Sequence, residues 1–179
     1  MIFEHEQFET LKSKVVEILW NADPFSHFVA LDIDSTVLHH DTNQTVQGVP
    51  EGMFVYKIAR TYGIPVVFIT AREYDEASEE MARQDLEHVG ITDMESIIMR
   101  PSWINTWEGI SLFKSDARAF WEDRYNMVCL LNVGDQWTDM MHMNQDVIHK
   151  LRSSSYQYVL FNRTSPNGEI RWNLKLTET

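Results

Sequence analysis

Asp32 and Asp34 stand two residues apart where the apolar run His27-Phe28-Val29-Ala30-Leu31 ends, and Thr36 follows two residues later. Thr70 and Arg72 close a second apolar run, Lys114 comes well after it, and Gly134-Asp135 with Asp139 closes a third. Carboxylates, a hydroxyl and an ammonium are the groups that a phosphoryl transfer needs. A carboxylate can attack phosphorus to give a covalent aspartyl phosphate, provided its own charge and that of the phosphate are offset. A Mg²⁺ ion on oxygen ligands offsets them while keeping several waters. Lys114 adds a fixed positive charge, Thr70 a hydroxyl donor, and the turn amides after Asp32 an anion-binding nest. A second carboxyl, Asp34, can protonate the leaving oxygen and then deprotonate the attacking water. Each residue alone has a plainer account: Asp34 or Thr36 as a helix or turn cap, Lys114 as a solvated lysine at a helix start. Their order along the chain carries the argument.

The elements that must position these groups follow from periodicity. Residues 6–20 place Phe8, Leu11, Val15, Ile18 and Leu19 at helical spacing. Residues 27–34 read as a buried strand broken by acids. Pro50 suits the first turn of a helix over 50–62, which Gly63 ends. A second strand over 64–69 has Pro65 tolerable only at its start. An acidic helix over 73–88 turns Ala77, Met81 and Leu86 inward. A third strand covers 96–99, a Trp- and Ser-rich loop 101–112, and a helix starting at Lys114 runs over 114–124. A fourth strand at 127–133, a helix at 137–150 and a fifth strand at 156–161 complete the alternation. The tail 164–179 holds a Pro166-Asn167-Gly168 turn and either adds an edge strand or packs on the surface. This pattern predicts an α/β fold: a three-layer α/β/α doubly wound parallel sheet, with helices on both faces. In such sheets the ligand lies beyond the carboxyl ends of the strands, where the strand order reverses. Asp32, Asp34, Thr70 and Asp135 all follow strands. One domain over 1–179 is expected, with a helix within 1–24 and the 164–179 tail packed on it.

Acids exceed bases by 27 to 15, a net charge of −12, which argues against a nucleic-acid partner because phosphate backbones demand a positive face. Cys129 is alone, inside an apolar run, and reads as a small buried hydrophobe with no disulfide to make. The opening MIFEHEQFETLK lacks a basic segment followed by an apolar one, and no apolar run reaches the ~20 residues of a membrane span. The expected setting is cytoplasmic, with no membrane partner.

Leu31 to Leu38 resembles the first motif of the haloacid dehalogenase superfamily, an apolar strand followed by D-x-D-x-T. Ile69-Thr70 is similar to its second motif, Lys114 to its third, and Gly134-Asp135 through Asp139 to the G-D-x-x-x-D form of its fourth. Phe113 to Arg118 and Asn132 to Met140 further resemble the Y-K-S-x-x-R and G-D-Q-W-S-D-L signatures of the acid phosphatase branch, which includes plant acid phosphatases, vegetative storage proteins and bacterial class B enzymes. The resemblance implies Asp32 as nucleophile and Asp34 as general acid/base, with its backbone carbonyl on the metal. It implies Asp135 as the main further Mg²⁺ ligand, Asp139 as a partner of the metal or its water, and Thr70 and Lys114 as holders of the phosphoryl group. Some storage relatives lack the nucleophile; Asp32 is present here, which favours a working phosphomonoesterase on a small phosphorylated substrate.

Departures from the pattern shape the rim. The usual T-G-R is Thr70-Ala71-Arg72, and Arg72 either reaches substrate anions or pairs with Glu73 or Asp75. Only His39 to Gly48 separates the first motif from the next helix, and 71–113 is filled by a helix, a strand and a loop, so the cap is minimal or absent. Specificity then falls to the rim, to a partner subunit in a homo-oligomer, or to the substrate. His39, His40 and Trp103, with Trp107, are the rim candidates. Adjacent loop histidines are usually solvated, and loop tryptophans more often pack on their own domain than bind ligand. Met140, Met141 and Met143 read as flexible core filling. Three other readings stay open: a polynucleotide 3′-phosphatase of the same fold, a phosphoacceptor signalling domain, and a catalytically silent relative.

Overall fold

The computed structural model describes residues 5–139, 157–164 and 170–177. The run His27–Leu31 forms β1, and every residue after His27 is buried. A strand covered on both faces belongs in the middle of a sheet, and β1 is there. It pairs in parallel with Val66–Glu73 (β4) on one side and Val128–Gly134 (β6) on the other. Ser96–Arg100 (β5) extends the sheet beyond β4, and Gln157–Thr164 (β7) lies parallel to β6. Ile170–Thr177 (β8) closes the edge antiparallel to β7, in the order β5-β4-β1-β6-β7-β8. The tail therefore adds an edge strand. The chain steps outward from β1 through β4 to β5, then returns to the other side of β1, which makes the carboxyl end of β1 the reversal point.

Alternation along the strands builds two cores. Val29, Leu31, Val66, Phe68, Leu131 and Val133 join Val15 and Leu19 of α1 (His5–Trp20), Val55 and Ala59 of α2 (Pro50–Thr61), and Ala82 and Leu86 of α3 (Glu76–His88). Phe28, Ala30, Val67, Ile69 and Cys129 face the other way, onto Ala117 and Trp121 of α4 (Trp107–Tyr125). Among the described residues three helices thus cover one face and α4 the other, the expected α/β/α arrangement.

The expected elements shift in four places. A short antiparallel hairpin, β2 (Leu38–His40) and β3 (Val46–Gly48), fills the segment after the first motif. The inward side of α3 is Ala82 and Leu86; Ala77 is exposed and Met81 is 59% exposed, because the helix is rotated by one residue from the expected stripe. The loop predicted over 101–112 ends at Thr106, whose side chain accepts from the Gly109 amide and caps α4. Lys114 is consequently two turns inside a helix and not at its start. Of the helix expected over 137–150, the described part is a single 3-10 turn, Trp137–Asp139; the remainder, the three methionines and the Pro166-Asn167-Gly168 turn lie outside the described residues. No helix among the described residues is long and apolar enough to cross a membrane.

Candidate active site

The chain leaves the β1 ladder at Asp32, whose amide still donates to the Val133 carbonyl at 2.9 Å. Ser35 then adopts a left-handed conformation (φ 59°), and the backbone turns back so that the Ser35 amide donates to the Leu38 carbonyl. A positive φ outside glycine is uncommon and is found where surrounding contacts enforce it. Here α2 enforces it: a Cβ on Gly52 would lie 1.9 Å from the Thr36 carbonyl oxygen, so only glycine allows the helix to sit this close to the turn. Thr36 is fully buried, and its hydroxyl oxygen has no hydrogen-bond partner among the described residues.

Asp32 at the end of β1, Asp135 just after β6 and Asp139 on the 3-10 turn bring carboxylate oxygens within 4.8 Å of one another. Lys114 reaches them from α4 across the sheet face. Its Nζ donates to Asp32 Oδ1 at 2.9 Å and to Asp139 Oδ1, and the Lys114 and Asp139 side chains are each only 3% exposed. Asp139 is fixed on every side. Its Oδ2 accepts from the Gln136 amide at 2.9 Å, and its carbonyl accepts from Asn132 at 2.6 Å and Arg118 at 3.2 Å. Gly134 completes the turn by lacking a side chain, since a Cβ there would lie 2.3 Å from the Asp139 carboxyl carbon.

Burial first, then repulsion from Asp139, push the Asp32 carboxyl well above the usual carboxylate range, with Lys114 opposing. Burial likewise raises Asp135, against its hydrogen bond from Gln136. Burial favours the neutral form of Lys114, yet Asp32 and Asp139 outweigh it and hold the ammonium above the ordinary lysine range. One lysine against three carboxylates leaves two negative charges in excess when all are ionised. An all-oxygen, doubly negative pocket fits a hard divalent cation.

Thr70 is buried at the end of the regular part of β4, where pairing with β5 becomes irregular. Its hydroxyl oxygen accepts from the Arg72 amide at 3.1 Å, which leaves the hydroxyl hydrogen to donate elsewhere. Asp34 is not part of the carboxylate cluster. Its two oxygens accept from Arg72 Nε and NH2 at 2.8 and 2.7 Å, and Arg72 NH1 donates to Asp85 of α3 at 2.8 Å. Neither partner expected for Arg72 is used: Glu73 pairs with Arg100 and Asp75 caps α3. The hydrogen bond to Asp34, together with the attraction of both carboxylates, raises the guanidinium's affinity for its proton further, against burial.

His39 and His40 are exposed on β2, Trp103 is 80% exposed in the loop before α4, and Trp107 is 61% exposed. Among the described residues, no hydrogen bond or ion pair ties these side chains to the cluster, and the tryptophans are not packed into the core. Sequence reasoning passed over Asp85, and it named Asn132 and Arg118 only as members of signature stretches, without a role. For Asp85 the readable signal was a carboxylate flanked by the buried stripe of a helix, since buried acids are almost always paired; for Arg118 it was its place at the end of the Y-K-S-x-x-R signature.

Three comparisons bear on this arrangement. A family model described as HAD superfamily, subfamily IIIB (Acid phosphatase) matches residues 40–159, which include Thr70, Lys114, Asp135 and Asp139 and begin after Asp34. The chain is 26% identical over 117 residues to vegetative storage protein 1 of Arabidopsis thaliana, covering 65% of this chain and 41% of that protein, so it spans less than half of that relative's length. The fold is similar to the class C acid phosphatase from Bacillus anthracis, with a TM-score of 0.56 and 14% identity over 84% of this chain and 74% of that one. The same enzyme with tungstate bound gives a TM-score of 0.54 at 13% identity. With the family model spanning well over half of the sequence, and the sheet order and carboxylate cluster in place, this chain belongs to the acid phosphatase subfamily IIIB of the haloacid dehalogenase superfamily.

Proposed function

We propose that this chain is a phosphomonoester hydrolase that works through an aspartyl phosphate on Asp32, in a single domain acting on a small phosphorylated substrate. The observation that carries this reading is the Lys114 ammonium bonded to both Asp32 and Asp139 in a buried pocket that Asp135 completes. The carboxylates of Asp32 and Asp135 and the backbone carbonyl of Asp34 would hold Mg²⁺, with Asp139 beside them. Bound there, the ion neutralises charge on the transferring phosphoryl group.

The protein groups then divide the work. The free oxygen of Asp32 attacks phosphorus as the ester P–O bond breaks, and Asp34 gives a proton to the departing oxygen. Lys114 and the Thr70 hydroxyl hold the phosphoryl oxygens in line, offsetting charge where it develops. A water then attacks phosphorus, loses its proton to Asp34, and releases phosphate as the bond to Asp32 breaks. Between these steps the Lys114 contact keeps the nucleophile from rotating.

The test is phosphate release from p-nitrophenyl phosphate and a panel of phosphorylated metabolites, with wild type beside Asp32→Asn. Turnover that requires Mg²⁺, stops with a chelator and vanishes in Asp32→Asn is the expected result. Undiminished turnover in that variant removes Asp32 from its role. Inclusion of a 3′-phosphorylated oligonucleotide at two salt concentrations tests substrate class, and the −12 charge predicts that it is the poorer substrate.

A further inference from the structure

The guanidinium of Arg72 is divided between carboxylates from different elements. It grips both oxygens of Asp34, after β1, and one oxygen of Asp85, on α3. The side chains of Arg72 and Asp85 are 18% and 16% exposed, while Asp34 is 47% exposed at the open end of the series. A bidentate fork is planar, so the setting of the guanidinium dictates the plane of the Asp34 carboxylate. Held by Asp34 alone, the two groups could swing together as one rigid pair. The third contact prevents that, and its origin is firm: Asp85 lies between the buried positions Ala82 and Leu86, and α3 is capped by Asp75. On the other side, the Arg72 amide is tied to Thr70. The fork uses one acceptor site on each Asp34 oxygen and leaves another, through which a proton can pass.

We infer that Asp85 is a positioning residue: through Arg72 it fixes the Asp34 carboxylate in the orientation from which that group serves the leaving oxygen and the attacking water. The inference rests on the phosphatase reading given above. Asp85 touches neither substrate nor metal in that reading, so its effect is confined to the step Asp34 assists. An alkyl leaving group needs the proton from Asp34 as the P–O bond breaks, whereas p-nitrophenolate departs without one. The value of kcat/KM reports on steps up to the first irreversible one, and so isolates this transfer.

The experiment compares kcat/KM for p-nitrophenyl phosphate and glycerol phosphate in wild type, Asp85→Ala, Asp85→Asn and Arg72→Lys, with Mg²⁺ present and folding checked by thermal melting. Crystal structures of wild type and Asp85→Ala are determined alongside. The preference for the aryl ester is expected to rise about tenfold or more in Asp85→Ala and Arg72→Lys, since well-placed acid catalysis contributes roughly 10²–10⁴-fold. Asp85→Asn, which keeps an acceptor for NH1, should recover most of the alkyl activity. The Asp34 carboxylate should be displaced in Asp85→Ala. Equal losses on both esters, or an Asp34 carboxylate unmoved in Asp85→Ala, overturn the inference. A wild type that hydrolyses neither ester removes the phosphatase reading by itself, and the crystal comparison still decides whether Asp85 places Asp34.

Discussion

Replacing Gly134 with alanine tests the close approach on which the cluster depends. An ideal Cβ at this position lies 2.3 Å from the Asp139 carboxyl carbon and Oδ2, and 2.5 Å from its Cβ. Non-bonded carbon atoms rest about 3.5–4.0 Å apart, so something must move by about 1 Å or more. The backbone itself is no obstacle, because Gly134 is not among the glycines with positive φ. Asp139 cannot simply rotate away: Lys114 and the Gln136 amide hold its two oxygens, and Asn132 and Arg118 hold its carbonyl. Overpacking of this kind costs about 1–3 kcal/mol, which urea denaturation would show as a lower midpoint at unchanged slope. Misplacing a reacting constellation by ~1 Å costs about 10²-fold in rate, so turnover should fall further than stability. In the proposed phosphatase Asp139 sits beside the Mg²⁺, and disturbing such a group typically weakens binding by about 10–100-fold, so the Mg²⁺ needed for half-maximal activity should rise. The reasoning is checked by repeating the change in an Asp139→Gly background, where all three crowding atoms, the Cβ included, are absent and the stability cost of Gly134→Ala should largely vanish. An equal cost in both backgrounds would refute it, as would a Gly134→Ala protein as stable and active as wild type.

Lys114→Met should leave Asp32 and Asp139 buried without their cation, a loss of about 3–5 kcal/mol by chemical denaturation, and added Mg²⁺ should restore more stability to this variant than to wild type. Gly52→Ala should lower the melting temperature sharply or prevent folding, because its Cβ would meet the rigid Thr36 carbonyl 1.9 Å away. Cys129 is 2% exposed and burial pushes its thiol up to about 12, so iodoacetamide at pH 8 should label it only after denaturation. The same shift means that the folded chain keeps a proton which the unfolded chain gives up. Its contribution is fully present below the ordinary thiol range and is lost as pH rises toward about 12, a loss that Cys129→Ala should remove from the alkaline side of the stability profile.

The central strands and the ends that carry Asp32, Thr70 and Asp135 were legible because an apolar run stopped by polar residues is itself the mark of a buried parallel strand. Lys114 was legible from its resemblance to a motif, but its element was not: the start of α4 depends on the Thr106 cap, and Trp107 gives no helical signal of its own. The hairpin of β2 and β3 is built from polar residues such as His39, His40 and Gln47, in which no alternation can be read. The pairing of Arg72 with Asp34 and Asp85 was hidden for a different reason. It spans 38 and 13 positions in sequence and depends on the rotation of α3, which an expected stripe through Ala77 and Met81 sets wrong by one residue. Local pattern reports which face of an element is apolar, whereas partner choice between charged groups is decided only when distant elements meet.

One helix carries both the lysine of the pocket and the anchor of the second core. Lys114 and Trp121 are seven residues apart on α4, two turns along one side, and Trp121 stacks obliquely on Phe28 of β1, the strand that ends in Asp32. The Lys114 ammonium and the Asp32 carboxylate are therefore mounted on two members clamped together by aromatic packing. Slippage at that clamp would draw the charges apart at the far end like the jaws of a pair of tongs. Heating should consequently extinguish turnover in step with the near-ultraviolet signal of the tryptophans, with no range of temperature in which a folded but idle protein accumulates.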